Sequence, residues 1–387
     1  MLGAKSITIQ VYPRFFQLMD QKSRLGNKIA AAVTSTFNST PSKAGKPKTR
    51  DNGVAEWTVL AGLVTIDEED KVDVLTLATG VKALPDEIRT YSNGWMVHDM
   101  HAEILCLRMF NYMVLEEVVK NREGSGTGFL EARDGKLQLK EGLRIALYVS
   151  EPPCGDASMG YVAQGREAWD EPLAKKQKVE SSGTFHRGRE SFDTLGVVRT
   201  KPGRADSRVT LSKSCSDKLC LRQELGVLNS VTSLFVEPVY LDYIVLGEDK
   251  FEQGDFERCF GRIQPDKGRF IEPLVYTEDS YGFHKRDDAV PSPVSLVSCP
   301  PLKVTQVLSN GAKNGGFIKN KPPKPSGSSI ICNQRLIEKA RPLLNTYQGL
   351  RTYSDVKELN SDRQALKAAL HGVLGNWTPT TPDDFAL

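Results

Sequence analysis

Four side chains in this 387-residue chain are of the types that build a catalytic metal site. His101 stands two positions before Glu103, Cys154 follows two consecutive prolines, and Cys215 lies in the segment Ser-Cys-Ser-Asp-Lys. One imidazole and two thiolates can hold a zinc ion and leave a fourth position open for water, whereas a fourth protein ligand would indicate a closed structural site. The sequence therefore predicts His101, Cys154 and Cys215 as the ligands of a catalytic zinc ion.

Glu103 is predicted to move protons rather than to bind the metal. A carboxylate beside a metal-activated water can take a proton from that water and pass protons to the ring nitrogen and the leaving ammonia of a nucleobase. The four residues together predict a hydrolytic nucleobase deaminase, in which oxygen replaces an exocyclic amine. A His-x-Glu triplet alone is a weak signal, and most cysteines are small buried apolar residues, so the prediction depends on all three segments occurring in this order.

The sequence around these residues predicts the elements that position them. Residues 104–115 are mostly apolar and contain neither proline nor glycine, which predicts a buried helix beginning close to His101. Residues 143–149 predict a strand, which two prolines end just before Cys154 opens the next helix. A helix N-terminus favours the thiolate form of cysteine, so this placement suits a metal ligand.

Over the whole chain, predicted strands alternate with predicted helices. Strands are expected at 56–66, 72–79, 143–150 and 241–246, and helices at 101–120, 155–164, 216–225, 256–263 and 354–374. Residues 289–325 are rich in proline, serine and glycine, which predicts loop with one short strand. This pattern favours the α/β class, with a mixed sheet sandwiched by helices.

The second cysteine of this chain is displaced from its commonest position. In most sites of this type two cysteines share a Pro-Cys-x-x-Cys turn, but position 157 is alanine here. The pairing of Cys154 with a remote Ser-Cys-Ser-Asp-Lys segment resembles the adenosine deaminases that act on RNA, a family of double-stranded-RNA editing enzymes and tRNA-specific enzymes. The further segments that fit this family are 56–62, 78–82, 199–204, 234–240 and 375–377.

The resemblance extends from residue 24 to the end of the chain. It implies a single adenosine deaminase domain over 24–387, with a cytidine-deaminase-like mixed sheet and a C-terminal extension. Residues 1–23 are expected to form an N-terminal extension of uncertain order. Residues 164–192 have few apolar side chains and little periodicity, which predicts a flexible insertion between the two cysteine segments.

The resemblance also bears on the substrate. The editing enzymes carry double-stranded-RNA-binding modules before the deaminase domain, and this chain has no room for them, so the tRNA-specific branch fits better. That branch implies conversion of adenosine 37, next to the anticodon of alanine tRNA, to inosine. Three alternatives stay open: an editing enzyme acting on double-stranded or messenger RNA, a deaminase of free nucleosides, and a non-catalytic zinc-containing RNA-binding subunit, which the presence of Glu103 disfavours.

The resemblance implies a second cofactor, inositol hexakisphosphate, buried in the core. Such a polyanion needs many inward-pointing cationic side chains, because an unpaired buried charge is very costly. The positions that match the family's ligands are Arg108, Lys201, Lys218, Arg222, Tyr353, Lys357, Lys367 and Trp377. Leu107 and Leu221 occupy places where the editing enzymes have arginine. Arg363 competes with Lys367 for one place, and the C-terminal residues also fit the exposed faces of amphipathic helices.

Basic residues predict where RNA binds. The predicted contacts are Lys43, Lys46, Lys48, Arg50, Arg199, Arg204 and Arg208. The first four lie in a loop segment without an acidic residue, which suits contact with phosphates, although a solvated loop is an equally good interpretation. The last three precede the Cys215 segment and are expected near the catalytic mouth. The net charge of +3 is too small to identify a nucleic-acid-binding protein.

Composition predicts an intracellular enzyme. No uninterrupted apolar run approaches the roughly 20 residues needed to span a bilayer, and the N-terminus lacks the charged-then-apolar layout of a secretory signal. The seven cysteines are an odd number, which argues against a disulfide framework and for a reducing compartment. We therefore expect a cytoplasmic or nuclear protein without membrane association, and the sequence leaves its protein partners unknown.

Overall fold

The structure, a computed structural model, describes residues 12–41, 43, 45–125, 128–164, 185–188, 193–201, 208–345 and 347–387. The predicted RNA contact Arg204 lies outside the described residues. So do most of the predicted insertion 164–192 and the first part of the predicted N-terminal extension.

The described chain is built around one mixed β-sheet. Its strands, in chain order, are β1 (Ala55–Trp57), β2 (Leu60–Ile66), β3 (Val72–Thr79), β4 (Val81–Ala83), β5 (Asp99–His101), β6 (Leu130–Arg133), β7 (Lys136–Leu139), β8 (Arg144–Val149), β9 (His186–Arg187), β10 (Arg199–Thr200), β11 (Tyr243–Gly247), β12 (Glu272–Tyr276), β13 (Ala289–Pro291), β14 (Ser295–Cys299), β15 (Val304–Ser309) and β16 (Ala312–Lys313). Eight of them form the main sheet in the order β12-β11-β8-β2-β3-β14-β15-β16. The pairs among β8, β11 and β12 are parallel, and the other pairs in this sheet are antiparallel.

Helices cover both faces of this sheet. They are α1 (Tyr12–Ser39), α2 (Arg89–Ser92), α3 (Ala102–Arg122), α4 (Met159–Ala163), α5 (Cys215–Leu225), α6 (Gln253–Phe260), α7 (Asn333–Leu344), α8 (Tyr353–Glu358) and α9 (Ser361–Leu374). α1 packs on β3 and β12, whereas α3 packs on β2, β3 and β14 from the opposite face. The predicted α/β class, with a mixed sheet sandwiched by helices, is confirmed. Among the described helices, none is both long and apolar enough to cross a membrane.

Strand β2 shows why both faces need a cover. Side chains at successive positions of a strand point to opposite faces of the sheet. Leu60 packs with Val33 of α1 on one face, whereas Ala61 and Leu63 join the cluster that contains Leu105 of α3 on the other. Every residue of β2 is buried, so the strand is apolar nearly throughout rather than alternating.

Two regions differ from the prediction. Residues 289–325, expected to be loop with one short strand, contain β13 to β16. Prolines and glycines between these strands dominate the composition, whereas pairing of β14 with β3 inside the sheet decides the structure. Helix α1 was not expected, and the predicted domain boundary at residues 23 and 24 falls inside it.

Two long predicted elements are each divided in the structure. The predicted strand 56–66 forms as β1 and β2, and the predicted helix 354–374 forms as α8 and α9. The side chain of Asn360 accepts a hydrogen bond from the backbone N–H of Arg363 (3.1 Å). This bond caps α9 and separates it from α8, as asparagine commonly does at a helix start.

The C-terminal residues fold back and are held by polar contacts. The Asp383 carboxylate accepts hydrogen bonds from Ser92 Oγ (2.6 Å) and from the backbone N–H of Gly94 (2.8 Å). Its other oxygen lies 3.1 Å from His98 Nε2. Because His98 is close in sequence to β5, these contacts tie the end of the chain to the segment that carries His101.

Candidate active site

The three predicted metal ligands come from different elements and meet at one point. His101 ends β5 and precedes α3, Cys154 lies in the turn after β8, and Cys215 is the first residue of α5. Their ligand atoms lie within 4.8 Å of one another, and Cys154 Sγ is 3.5 Å from His101 Nδ1. Tetrahedral zinc holds sulfur and nitrogen ligands roughly 3.5–3.8 Å apart. The spacing therefore allows these residues to hold a metal ion.

Protonation of the donor set also fits a cation. A hydrogen bond from Cys215 and the positive charge of Lys201 hold the pKa of Cys154 well below its usual range. Burial and the neighbouring Cys154 raise the pKa of Cys215, an effect that a bound cation would offset. His101 Nε2 is buried and has no hydrogen-bond partner among the described residues.

Hydrogen bonds join the two cysteine segments directly. The backbone N–H of Ser216 donates to the Cys154 carbonyl (3.0 Å), and Ser216 Oγ donates to the Pro153 carbonyl (2.9 Å). Gly155 lies at this junction with a φ of +108°, and a Cβ atom there would lie 2.3 Å from Ser214 Oγ. Only glycine fits this approach without strain, so the residue after Cys154 is a requirement of the metal site.

A buried carboxylate fixes the start of the Cys215 helix. Asp217 accepts hydrogen bonds from Ser214 Oγ (2.5 Å) and from the backbone N–H of Arg199 (3.0 Å). It also pairs with Arg262 at 2.9 Å. These contacts determine the position of the first turn of α5 and therefore of Cys215.

Glu103 lies beside the metal ligands in a cavity of about 170 Å³. It belongs to the first turn of α3, its side chain is buried, and this burial raises its pKa. A carboxyl whose pKa lies closer to neutrality can act as base and as acid in one reaction cycle. Apolar residues that line the cavity include Trp57, Val59, Val81, Met159 and Val162. Such walls suit a planar base and exclude water from it.

Three charged side chains, two of them buried, extend from the metal site. Lys201 Nζ lies 2.7 Å from Cys215 Sγ and 3.4 Å from Asp99 Oδ2, which also accepts a hydrogen bond from Lys218 (2.5 Å). Burial alone would lower the pKa of Lys201, but Asp99 and the cysteines raise it well above its usual range. Asp99 has no predicted function from sequence. Its position two residues before His101 on a strand was a usable signal, because such side chains share a face.

Basic side chains gather behind this group and lower one another's pKa values. Burial and the charge of Arg363 lower the pKa of Arg222 to about 10, and its Nε atom has no hydrogen-bond partner among the described residues. Partial loss of hydration, together with repulsion from Lys357 and Arg363, lowers the pKa of Lys367, although part of this side chain is exposed. Burial also lowers the pKa of Lys218. Cations crowded in this way need an anion to balance them.

The remaining predicted cofactor ligands lie around the same group and partly bind protein atoms. Arg108 donates two hydrogen bonds to one carbonyl just before α7 (3.0 and 2.8 Å), and its charge acts on Arg222 and on Tyr353. Lys357 lies 4.8 Å from the centre of the Tyr353 ring. Trp377 stacks on a histidine of α9 at 4.2 Å. The structure therefore brings the predicted positions from both halves of the chain together, with Lys201 nearest the metal site.

The predicted RNA contacts near the surface differ in availability. Lys43 and Lys48 are exposed. Lys46 donates to a carbonyl of α1 (2.9 Å), and Arg50 pairs with a glutamate (3.0 Å). Arg208 also pairs with a glutamate. Of these five residues, Lys43 and Lys48 are the best placed to meet a phosphate.

Arg199 is not available for RNA contact, so that prediction is wrong. Its side chain is 0% exposed and donates to the carbonyls of Thr194 (2.5 Å) and Gly188 (3.3 Å). Charge along a segment does not indicate which side chains point inward, and Arg199 belongs to the short strand β10, whose two residues are both buried. It supports the chain at Gly188, which lines the cavity.

Comparison with known proteins agrees with this geometry. The model of the adenosine-deaminase (editase) domain matches residues 76–380. The chain belongs to this family. Proteins named tRNA-specific adenosine deaminase 1 from Schizosaccharomyces pombe and Saccharomyces cerevisiae are 36% and 35% identical to it, over 95% of this chain and over 98% and 96% of their own lengths. The double-stranded RNA-specific editase Adar of Drosophila melanogaster is 28% identical over 53% of this chain and 32% of its own length.

The family and the enzyme class predicted from the sequence are thus confirmed. All of the predicted metal ligands and Glu103 lie within the residues that match the domain. The protein is a hydrolytic deaminase whose cavity joins a buried carboxyl to a donor set that can hold a metal ion.

Proposed function

We propose that this protein converts adenosine to inosine in tRNA, and that its target is adenosine 37 beside the anticodon of alanine tRNA. The observation that carries the proposal is similarity over nearly the whole of both chains to two proteins named as tRNA-specific adenosine deaminases. The named editase matches about half of the chain. An adenosine next to an anticodon is unpaired, so its entry into the cavity costs less unstacking than extraction from a duplex.

Zinc is the metal that suits this donor set, because imidazole and thiolate are borderline and soft ligands. His101, Cys154 and Cys215 would hold it. When bound, zinc would supply an activated water for attack on carbon 6 of the base. Lys201 keeps a positive charge 2.7 Å from Cys215 Sγ, which favours the thiolate form that a metal ligand requires.

Glu103 performs the proton transfers. Its carboxylate accepts a proton from the attacking water and delivers it to ring nitrogen 1. It then takes the second proton from the hydroxyl group on carbon 6 and gives it to the amine, so that ammonia leaves as the carbonyl forms. Burial raises the pKa of Glu103, which makes both directions of transfer accessible near neutral pH. The apolar walls, among them Val59 and Val162, hold the ring and keep bulk water away from it.

Inositol hexakisphosphate is our proposed counter-ion for this cluster of basic side chains. Support comes from Arg222, Lys218 and Lys367, whose pKa values are all lowered, and from the unpaired Nε atom of Arg222. A compact polyanion would balance these charges together, whereas among the described residues Asp99 forms an ion pair with Lys218 but not with Arg222 or Lys367.

Mass spectrometry of the purified, denatured protein tests this cofactor. We expect a stoichiometric release of inositol hexakisphosphate. Arg222→Met should lower soluble yield and thermal stability, because it leaves phosphate charge unpaired inside the protein. Lys71→Met is the control, since that side chain is 67% exposed. Active protein that releases no polyphosphate would refute the assignment.

Lys43 and Lys48 are our proposed contacts with the RNA backbone. The backbone N–H of Glu56 donates to the Lys48 carbonyl (3.0 Å). Glu56 precedes Trp57 in the chain, so this bond holds Lys48 close to a residue of the cavity wall. A phosphate bound there would belong to a nucleotide near the reacting base. Arg204 and Arg208 stay predicted contacts.

Inosine mapping tests the substrate. We expect inosine at position 37 of alanine tRNA from cells that contain the protein and its absence from cells that lack it. With purified enzyme, activity should require the folded anticodon arm and should fall steeply with salt, because bound phosphates regain counter-ions. The double variant Lys43→Ala, Lys48→Ala should raise KM at unchanged metal content, whereas Lys71→Ala should not.

Other outcomes would favour the alternatives. Preference for long perfect duplexes would indicate an editing enzyme, and equal activity on free adenosine would indicate a nucleoside deaminase. A metal-loaded protein that binds RNA without turnover would indicate a non-catalytic subunit.

A further inference from the structure

A second carboxylate, that of Glu151, lies in the wall of the catalytic cavity and takes no part in metal binding or proton transfer as derived above. It follows β8 and stands three residues before Cys154. Its side chain is 10% exposed. A charged group this buried needs partners, and those partners show what it can do.

One oxygen of this carboxylate is occupied by protein groups. Lys250 Nζ donates to Glu151 Oε1 (3.0 Å), and His284 Nδ1 lies 3.1 Å from the same oxygen. The other ring nitrogen of His284 lies 2.6 Å from Asp279 Oδ2. Burial alone would raise the pKa of Glu151, but His284 and Lys250 lower it, so the carboxylate is ionised.

The second oxygen, Oε2, makes no hydrogen bond to any residue that the structure describes. A carboxylate oxygen without a protein partner, on a residue that lines the substrate cavity, can accept a hydrogen bond from a molecule bound in that cavity. An ionised carboxylate only accepts hydrogen bonds, so Glu151 selects a donor and repels a phosphate.

The backbone at this acceptor is fixed. The backbone N–H of Leu60 donates to Ser150 Oγ (2.9 Å), and the backbone N–H of Ser150 donates to the Leu60 carbonyl (2.9 Å). Because Ser150 is bonded to the first residue of β2, the adjacent Glu151 is held close to Val59 in the apolar wall of the cavity. A fixed acceptor imposes one position on its donor, as recognition requires.

We infer that Glu151 recognises a hydrogen-bond donor of the substrate nucleotide through Oε2. The inference rests on the proposed RNA substrate. RNA offers two such donors close to the reacting base, namely a ribose 2′-hydroxyl and the exocyclic amine of a flanking base. A purely structural ion pair would need Oε1 alone.

Glu151→Gln separates recognition from structure. The amide oxygen can still accept from Lys250, whereas an NH₂ donor replaces Oε2, the oxygen without a protein partner. We expect kcat/KM on tRNA to fall roughly 10- to 100-fold, the factor that corresponds to loss of a hydrogen bond to a charged group. Glu257→Gln on the exposed face of α6 is the matched control and should leave kcat/KM unchanged.

Substrate analogues identify the donor. One set of tRNAs carries a single 2′-deoxy nucleotide at or next to the target, and the other carries a flanking base without its exocyclic amine. The analogue that lacks the recognised donor should lose activity with the wild-type enzyme but lose no further activity with Glu151→Gln. Asp279→Asn, which disturbs only the far end of the network, should keep the wild-type pattern.

Two results would overturn the inference. One is a Glu151→Gln enzyme whose kcat/KM equals that of the wild type. The other is a loss of the same factor on unmodified tRNA and on every analogue, because that pattern shows no coupling to a substrate donor. Wild-type turnover on tRNA reports on the proposed function, and the ratio between variant and wild type reports on Glu151, so the two can fail separately.

Discussion

Asp99 is the carboxylate on which the buried charge balance beside the metal site depends. Its Oδ2 atom lies 2.5 Å from Lys218 Nζ, 3.4 Å from Lys201 Nζ and 3.3 Å from Ser212 Oγ. Asp99→Asn keeps the shape of the side chain but removes its charge, and it leaves two lysines, 21% and 0% exposed, without this partner. Breaking a buried ion pair costs about 3–5 kcal/mol, so we expect the free energy of unfolding at pH 7 to fall by that amount.

Urea unfolding of metal-loaded protein, followed by circular dichroism, measures this loss. With an m-value of about 3 kcal/mol/M, the midpoint should fall by roughly 1–1.7 M. Asp73→Asn is the matched control, because it removes an aspartate from an exposed pair with Lys71 and should leave the midpoint unchanged. Metal content is measured in the same samples. If Asp99→Asn shifts the midpoint no more than the control does, the two lysines have other counter-charges and the reasoning is wrong.

Three other changes test separate parts of the site and the fold. Glu103→Ala should lower deamination at least about 100-fold at unchanged metal content, because the carboxylate moves protons and does not coordinate; substantial turnover by the metal-loaded variant would contradict this. Gly155→Ala should cost about 1–3 kcal/mol of stability and lower the metal content measured by mass spectrometry, since its Cβ would meet Ser214 Oγ; full metal loading would count against it. Burial lowers the pKa of His98, so below about pH 6.5 the unfolded chain binds more protons than the folded protein and stability falls as the pH drops. His98→Gln should therefore flatten the decline of the unfolding midpoint between about pH 7 and pH 5, and an unchanged slope would show that other groups cause it.

The candidate metal ligands could be predicted from the sequence because short-range constraints surround each of them. Cys154 needs the turn that two prolines and Gly155 provide, and Cys215 starts a helix whose capping residues flank it. His101 and Glu103 are separated by one residue at the junction of a strand and a helix. Local features of this kind can be read directly from the sequence, and the structure brings these side chains together as predicted.

The functions of other residues depend on contacts between distant segments, which no local pattern contains. Asp99 gains its importance from Lys218, and Glu151 from Lys250, each roughly a hundred residues away. Arg199 was instead given a function that it does not have. The count of charges along its segment predicted RNA contact, but such a count cannot distinguish a buried side chain from an exposed one. The strands of residues 289–325 form because β3 offers an edge for pairing, which their composition does not reveal.

Because hydrogen bonds join the two cysteine segments directly, the chain between them can accept insertions. Cys154 and Cys215 are 61 residues apart in the chain, yet Ser216 bonds straight to the Cys154 turn. Doubling the length of a connecting stretch costs only about 0.6 kcal/mol of loop-closure entropy. A recognition module or a reporter domain inserted between residue 164 and β9 would therefore add little loop-closure cost, provided that Gly188, Arg199 and Lys201 keep their contacts at the site.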